Sequence, residues 1–125
     1  MEISLKVLFI DRDPGVAATV AVAMKQQGSI DLNVAGSYDL AECHLHSGSF
    51  DVLVVDIRTP RSGIGSEFIA RFAERYACAG IVLVSADPDY YRHFYPAYSV
   101  CLQKPYDLAQ LMGTIQLAWV KAPRE

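Results

Sequence analysis

The sequence predicts an α/β domain built on a doubly wound, five-stranded parallel sheet. Three short runs, Val7 to Ile10, Val52 to Val55 and Ile81 to Val84, are apolar at every position and rich in β-branched residues, as strands covered on both faces are. Segments of helical period alternate with the strands, which implies right-handed crossovers and helices on both sheet faces. The length of 125 residues fits one domain with one hydrophobic core and no second domain of ordinary size.

In chain order, the run ending at Ile10 is followed by Asp13-Pro14, an N-cap aspartate with proline at the first helical position. Val16, Val20 and Met24 mark the apolar face of that first helix. Asp31 to Ala35 mixes polar and apolar residues, as a strand nearer a sheet edge does. His44 and His46 fall on a second helix at i, i+2, where they do not face each other, and read with His93 as surface residues. After the third strand, Phe68, Ile69, Phe72 and Tyr76 form a helix face. Gly63-Ile64-Gly65 precedes it, but Phe68 stands where a dinucleotide loop needs a third glycine. Asp87-Pro88 starts a fourth helix, expected to be short or irregular, with aromatic i, i+4 pairs Tyr90/Phe94 and Tyr91/Tyr95. Ser99 to Gln103 is the second edge-type strand. Leu108, Leu111, Met112, Ile115 and Trp119 form the last apolar stripe, opened by the capping box Asp107/Gln110. The domain spans 1–121, with 122–125 a terminal tail or the start of a linker.

Composition narrows the function. With 52% hydrophobic and 20% charged residues the chain is too apolar to be disordered. No stretch approaches the ~20 apolar residues of a membrane span, and no secretory signal is present. A net charge of -3 argues against direct nucleic-acid binding. Cys43, Cys78 and Cys101 lack the paired spacings of a disulfide framework or zinc site and read as reduced core thiols of a cytoplasmic protein.

Sheets of this kind bind ligands beyond the carboxyl ends of their strands. The residues at those ends are Asp11 and Asp13 after the first strand, Asp56 after the third, Ser85 after the fourth and Lys104 after the fifth. Crowded carboxylates repel unless a cation sits between them, and an all-oxygen site with several waters suits Mg²⁺. With that charge neutralised, Asp56 can act as a nucleophile toward phosphorus, while Lys104 and Ser85 hold the phosphoryl oxygens.

These residues, in this order, resemble a two-component response-regulator receiver domain, the CheY-like phosphoacceptor domain, over nearly the whole chain. The matching pieces are Asp11-Arg12-Asp13, Asp56-Ile57-Arg58-Thr59-Pro60, Ser85-Ala86 and Lys104-Pro105-Tyr106. The resemblance implies a flavodoxin-like (βα)5 fold with strand order 2-1-3-4-5. It further implies Mg²⁺-dependent phosphoryl transfer to Asp56 from a sensor histidine kinase or phosphotransfer protein. Arg58 would lend its backbone carbonyl to the metal held by Asp11, Asp13 and Asp56, and Ser85 and Lys104 would report the modified state. Output would pass to a downstream protein partner or a fused output domain, with a homodimer possible.

Two other readings compete. Val7 to Asp13 is similar to the nucleophile motif of haloacid-dehalogenase aspartyl phosphatases, which would use Asp11; that family has a further acidic strand after the lysine, where this sequence predicts a helix. A non-phosphorylated interaction module is the third. One departure from the receiver pattern bears on output: Cys101 stands three residues before the lysine, where receivers have an aromatic side chain that swings inward on activation.

Overall fold

The structure is a computed structural model and describes residues 4–46, 48–57, 64–86 and 95–123. Its elements are β1 (Leu5–Ile10), α1 (Pro14–Gln27), β2 (Ile30–Ala35), α2 (Tyr38–Leu45), β3 (Val52–Asp56), α3 (Ile64–Arg75), β4 (Gly80–Ser85), β5 (Val100–Gln103) and α4 (Leu108–Lys121). All strand pairings are parallel, and the sheet order is β2-β1-β3-β4-β5. Four helices are found among the described residues. The expected fourth helix falls largely on residues 87–94, outside the described residues, as do Arg58 and His93.

Strand alternation explains the all-apolar runs. Leu8, Ile10, Leu53, Val55, Ile81 and Leu83 pack with Ala41, Leu45, Phe68, Ile69 and Phe72 of α2 and α3. The intervening Val7, Phe9, Val52, Val54, Val82 and Val84 pack with Val20, Met24, Leu111, Ile115 and Ala118 of α1 and α4. Each fully buried side chain of this size stabilises the fold by about 1.5–3 kcal/mol, so both faces of the central strands are committed to helices. The edge strands β2 and β5 carry the exposed Asp31 and Gln103.

The helix ends follow local chemistry. Asp13 Oδ1 accepts from the Gly15 and Val16 amides at 2.9 and 3.2 Å, and Gly28 closes α1 with a φ of 76°, which glycine adopts without Cβ strain. At the start of α4, Asp107 Oδ1 accepts from Gln110 N at 2.7 Å, while Gln110 Oε1 accepts from Asp107 N at 2.8 Å. The buried face of α1 is Ala17, Val20 and Met24, whereas Val16 is 38% exposed. Alanine lets the helix approach the sheet closely and takes the place expected of Val16.

The cysteines are not core thiols: Cys43 and Cys78 are exposed and Cys101 is half-buried. Cys43 lies between Ala41 and Leu45, which face the sheet, so its own side of α2 points outward. Cys78 sits in the turn after α3. His46 is exposed as expected, while His44 is half-buried with its ring edge-on to Phe50 at 6.4 Å. No helix among the described residues is long and apolar enough to cross a membrane.

Two glycines give opposite predictions for one substitution. A Cβ on Gly80 would lie 2.3 Å from the backbone oxygen of Ala118, because β4 and α4 meet there without a side chain between them. Gly80→Ala is expected to destabilise the protein by about 1–3 kcal/mol or more. A Cβ on Gly113, within α4, meets nothing within 4 Å, so Gly113→Ala should stabilise by about 0.8–1 kcal/mol. Urea unfolding of the two variants checks both signs.

Candidate functional site

Strand register brings two carboxylates together. Ile10 of β1 pairs with Val55 of β3, so the next residues, Asp11 and Asp56, stand side by side on neighbouring strands about 4.8 Å apart. Both continue the alternation of Phe9 and Val54, toward the α1 and α4 side. Both are buried, Asp11 at 2% and Asp56 at 7% exposure. Backbone bonds extend the strands through this rim: Asp11 N donates to Ala35 O at 3.2 Å and Ile57 N to Val84 O at 2.8 Å.

Lys104 arrives from β5. Its amide donates to Ser85 O at 2.9 Å, and its ammonium donates to Asp56 Oδ2 at 2.9 Å, with Asp56 side-chain exposure of 2%. A buried carboxylate needs such a counter-charge, since desolvating an unpaired one is prohibitive. Asp56 Oδ1 is also buried and accepts no hydrogen bond from the described residues. The buried Ser85 ends β4; it continues the alternation of Leu83, toward the α2 and α3 side. Gln103 Nε2 ties this end of the sheet to Ala86 O at 3.2 Å.

Asp13 behaves differently. Its amide donates to Asp11 Oδ1 at 2.8 Å, but its own carboxylate is exposed and caps α1. Thus Asp11, Asp56 and Lys104 meet at one rim, Ser85 joins through the backbone, and Asp13 stands at the edge as both cap and acid. No ready-made cluster of three or more His, Cys, Asp or Glu side chains for a metal occurs among the described residues. The donor set nevertheless fits Mg²⁺: hard carboxylate oxygens, two of them buried side by side with a third on the adjoining loop, in a site the ion can share with several waters.

Two tyrosines belong to the site that the sequence did not single out. The Tyr106 hydroxyl is buried with no hydrogen-bond partner among the described residues. Burial, then the charges of Asp11 and Asp56, push its pKa up to about 12. Tyr38, whose ring lies 5.6 Å from Phe68, is also pushed up to about 12, by burial first and then Tyr95; Asp56 adds to the rise and Arg12 opposes it. The sequence signal for Tyr106 was its place directly after Lys104-Pro105, and for Tyr38 its place after the cap Ser37. Cys101 pairs with Leu83 and packs against the α2 and α3 core, which Tyr95 and Tyr98 also cover.

The fold has many solved counterparts. The chemotaxis response regulator CheY4 of Vibrio cholerae is 23% identical, with 90% of this chain and 97% of that one covered and a TM-score of 0.74. A response regulator receiver protein from Sinorhizobium medicae is 21% identical, covering 94% and 97%, with a TM-score of 0.79. A structure described as adenylate cyclase from Rhodopirellula baltica is 18% identical, covering 95% and 90%, with a TM-score of 0.79. No family model matches the chain, and no curated protein matches it in sequence. The chain has the flavodoxin-like fold of CheY-like receiver domains, with their strand order.

The tyrosine environment predicts alkaline behaviour. A phenol whose folded pKa lies above its unfolded value of 10.0 favours folding fully below pH 10, and that contribution is lost as pH rises from 10 to about 12. Tyr106→Phe should flatten this loss. At neutral pH it should cost nothing or gain up to about 1 kcal/mol, because it removes an unsatisfied buried hydroxyl. Urea unfolding of both proteins at neutral and alkaline pH measures the difference.

Proposed function

We propose that the chain is a phosphorylation-dependent signalling receiver in which Asp56 accepts a phosphoryl group from the phosphohistidine of a sensor histidine kinase or phosphotransfer protein. The observation that carries this reading is the buried Asp56 carboxylate bonded to the Lys104 ammonium at 2.9 Å, beside Asp11 in register. A carboxylate oxygen of Asp56 attacks phosphorus, the new P–O bond forms as the P–N bond breaks, and the imidazole nitrogen keeps the electron pair. Lys104 exchanges its carboxylate partner for a phosphoryl oxygen, and the Ser85 hydroxyl donates to another. Asp11, Asp13 and Asp56, with the Arg58 carbonyl, would hold Mg²⁺, which supplies the charge neutralisation that attack by one anion on another requires.

The haloacid-dehalogenase reading is less well supported. It needs a further acidic strand after the lysine, whereas Leu108–Lys121 is the helix α4, and it leaves the Asp56–Lys104 pair without a role. Output passes by protein contact, to a separate partner or a fused domain. Cys101 is too small to trade buried for exposed positions with the area change of an aromatic ring, so the relay runs through Ser85 into the segment it precedes.

Incubation with Mg²⁺ and a small phosphodonor, followed by mass spectrometry, is expected to give a phosphoryl adduct on Asp56 that Asp56→Asn abolishes. An adduct on Asp11 would support the phosphatase, and an adduct that persists in Asp56→Asn would overturn the assignment. Mg²⁺ at 100 times its Kd should add about 2.7 kcal/mol of stability, and Asp11→Asn should reduce that gain. A melting temperature indifferent to Mg²⁺ contradicts the metal site.

A further inference from the structure

α1 and α4 cover the same face of the sheet, and neither carries charge along its length. No Asp, Glu, Lys or Arg occurs from Pro14 to Met24 or from Leu108 to Val120. Surface helices ordinarily place charges among the residues turned from the core. Here Val16 and Val22 of α1 and Leu117 and Val120 of α4 are exposed instead, four of the five large apolar side chains exposed among the described residues. Between the two helices a cavity of about 650 Å³, walled by Val16, Val20, Leu108 and Leu111, carries the apolar surface across. A patch continuous over two helices marks a contact surface, where scattered apolar residues would not.

The form of this face suits a second copy of the same chain. Gly113 stands in the middle of α4 on its exposed side, where a Cβ would meet nothing within 4 Å. Nothing inside the chain requires glycine there, although alanine makes a stabler helix, and a glycine lets a second backbone approach closely. α4 also has opposite charges at its two ends, the exposed Asp107 at its N-cap and the exposed Lys121 in its last turn. Two α4 helices laid antiparallel and crossing at Gly113 and Thr114 set Asp107 against the partner's Lys121, each seven positions from Thr114. The same crossing sets Leu108 against the partner's Val120, each six positions from Thr114. A parallel pairing would oppose like charges. With a net charge of -3 on each chain, copies repel over most of their surface, and an uncharged face is where they meet at least cost.

We infer that this face pairs with its counterpart on a second copy of the chain, in a two-fold dimer whose α4 helices run antiparallel. Val120 of each copy packs at the other's groove beside Leu108, Gly113 permits the close crossing, and Asp107 with Lys121 fixes the direction. Helices of 14 residues are about 21 Å long and packed neighbours lie about 10 Å apart, so the face is roughly 20 Å square, about 800 Å² over both copies, the size of a weak, reversible interface. The pairing does not rest on the receiver reading.

Analytical ultracentrifugation of the full chain, from about 5 μM to about 1 mM, is expected to show a reversible rise in mass from 13.8 kDa toward twice that value. Gly113→Glu and Val120→Glu, both at exposed positions, should each raise the dimer Kd about tenfold or more, since each sets a carboxylate into the apolar contact from both copies. Leu40→Glu, which replaces the exposed apolar residue of α2 on the other side of the sheet, should leave that Kd within about twofold. Circular dichroism of the dilute variants separates loss of pairing from loss of fold. Carbodiimide coupling in a mixture of isotopically light and heavy chains should join Asp107 of one chain to Lys121 of the other. A chain monomeric throughout, a dimer that both folded glutamate variants leave intact or that Leu40→Glu dissociates, or cross-links that never join Asp107 to Lys121 between chains overturns the inference. Each of these outcomes leaves the receiver reading intact, because phosphoryl uptake by Asp56 is measured separately.

Discussion

An ionised carboxylate whose side chain is 2% exposed, at the end of a strand buried at every position, persists only if a cation is delivered to it. For Asp56 that cation is Lys104, 48 residues along the chain. Its delivery depends on β5 ending beside β4, where the Lys104 amide meets the Ser85 carbonyl at 2.9 Å. The register of β1 with β3 sets a second buried acid, Asp11, next to the first. Two buried carboxylates thus stand side by side at this rim, an arrangement that draws cations. The proposed Mg²⁺ site follows from that arrangement.

The two-layer core decides which way a change at the rim can travel. Strand alternation sends Asp11, Asp56 and Lys104 toward α1 and α4, and sends Ser85 and Cys101 toward α2 and α3. A phosphoryl group on Asp56 would therefore act on one side of the sheet, and Ser85 is the residue positioned to carry its effect to the other. There, Tyr38, Tyr95, Tyr98 and the small Cys101 each pack against the same buried core.

Much of this was legible in the sequence where the cause is local or periodic. Runs such as Val52 to Val55 announce strands buried on both faces, and Asp13 before Pro14 or Asp107 before Gln110 announces helix starts, because the capping oxygen bonds amides two or three residues on. Strand-end charges were legible because parallel sheets gather them at one edge. What was not legible depends on distant partners. Which face of α2 meets the sheet decides that Cys43 is outside and Ala41 inside. Tyr106 feels Asp11 and Asp56, which reach it from strands distant in sequence. None of these follows from neighbours in sequence.

The dependence of the site on one buried charge pair is tested most directly by a double-mutant cycle in urea unfolding at neutral pH, using Asp56→Asn, Lys104→Met and both together. If Lys104 serves to balance Asp56, Lys104→Met alone strands a buried carboxylate, and the same change is far better tolerated once Asp56 is neutral. The expected coupling is about 1–3 kcal/mol, reduced from that of a fully buried pair because Lys104 is 33% exposed. Additive effects, within about 0.5 kcal/mol, would contradict the account.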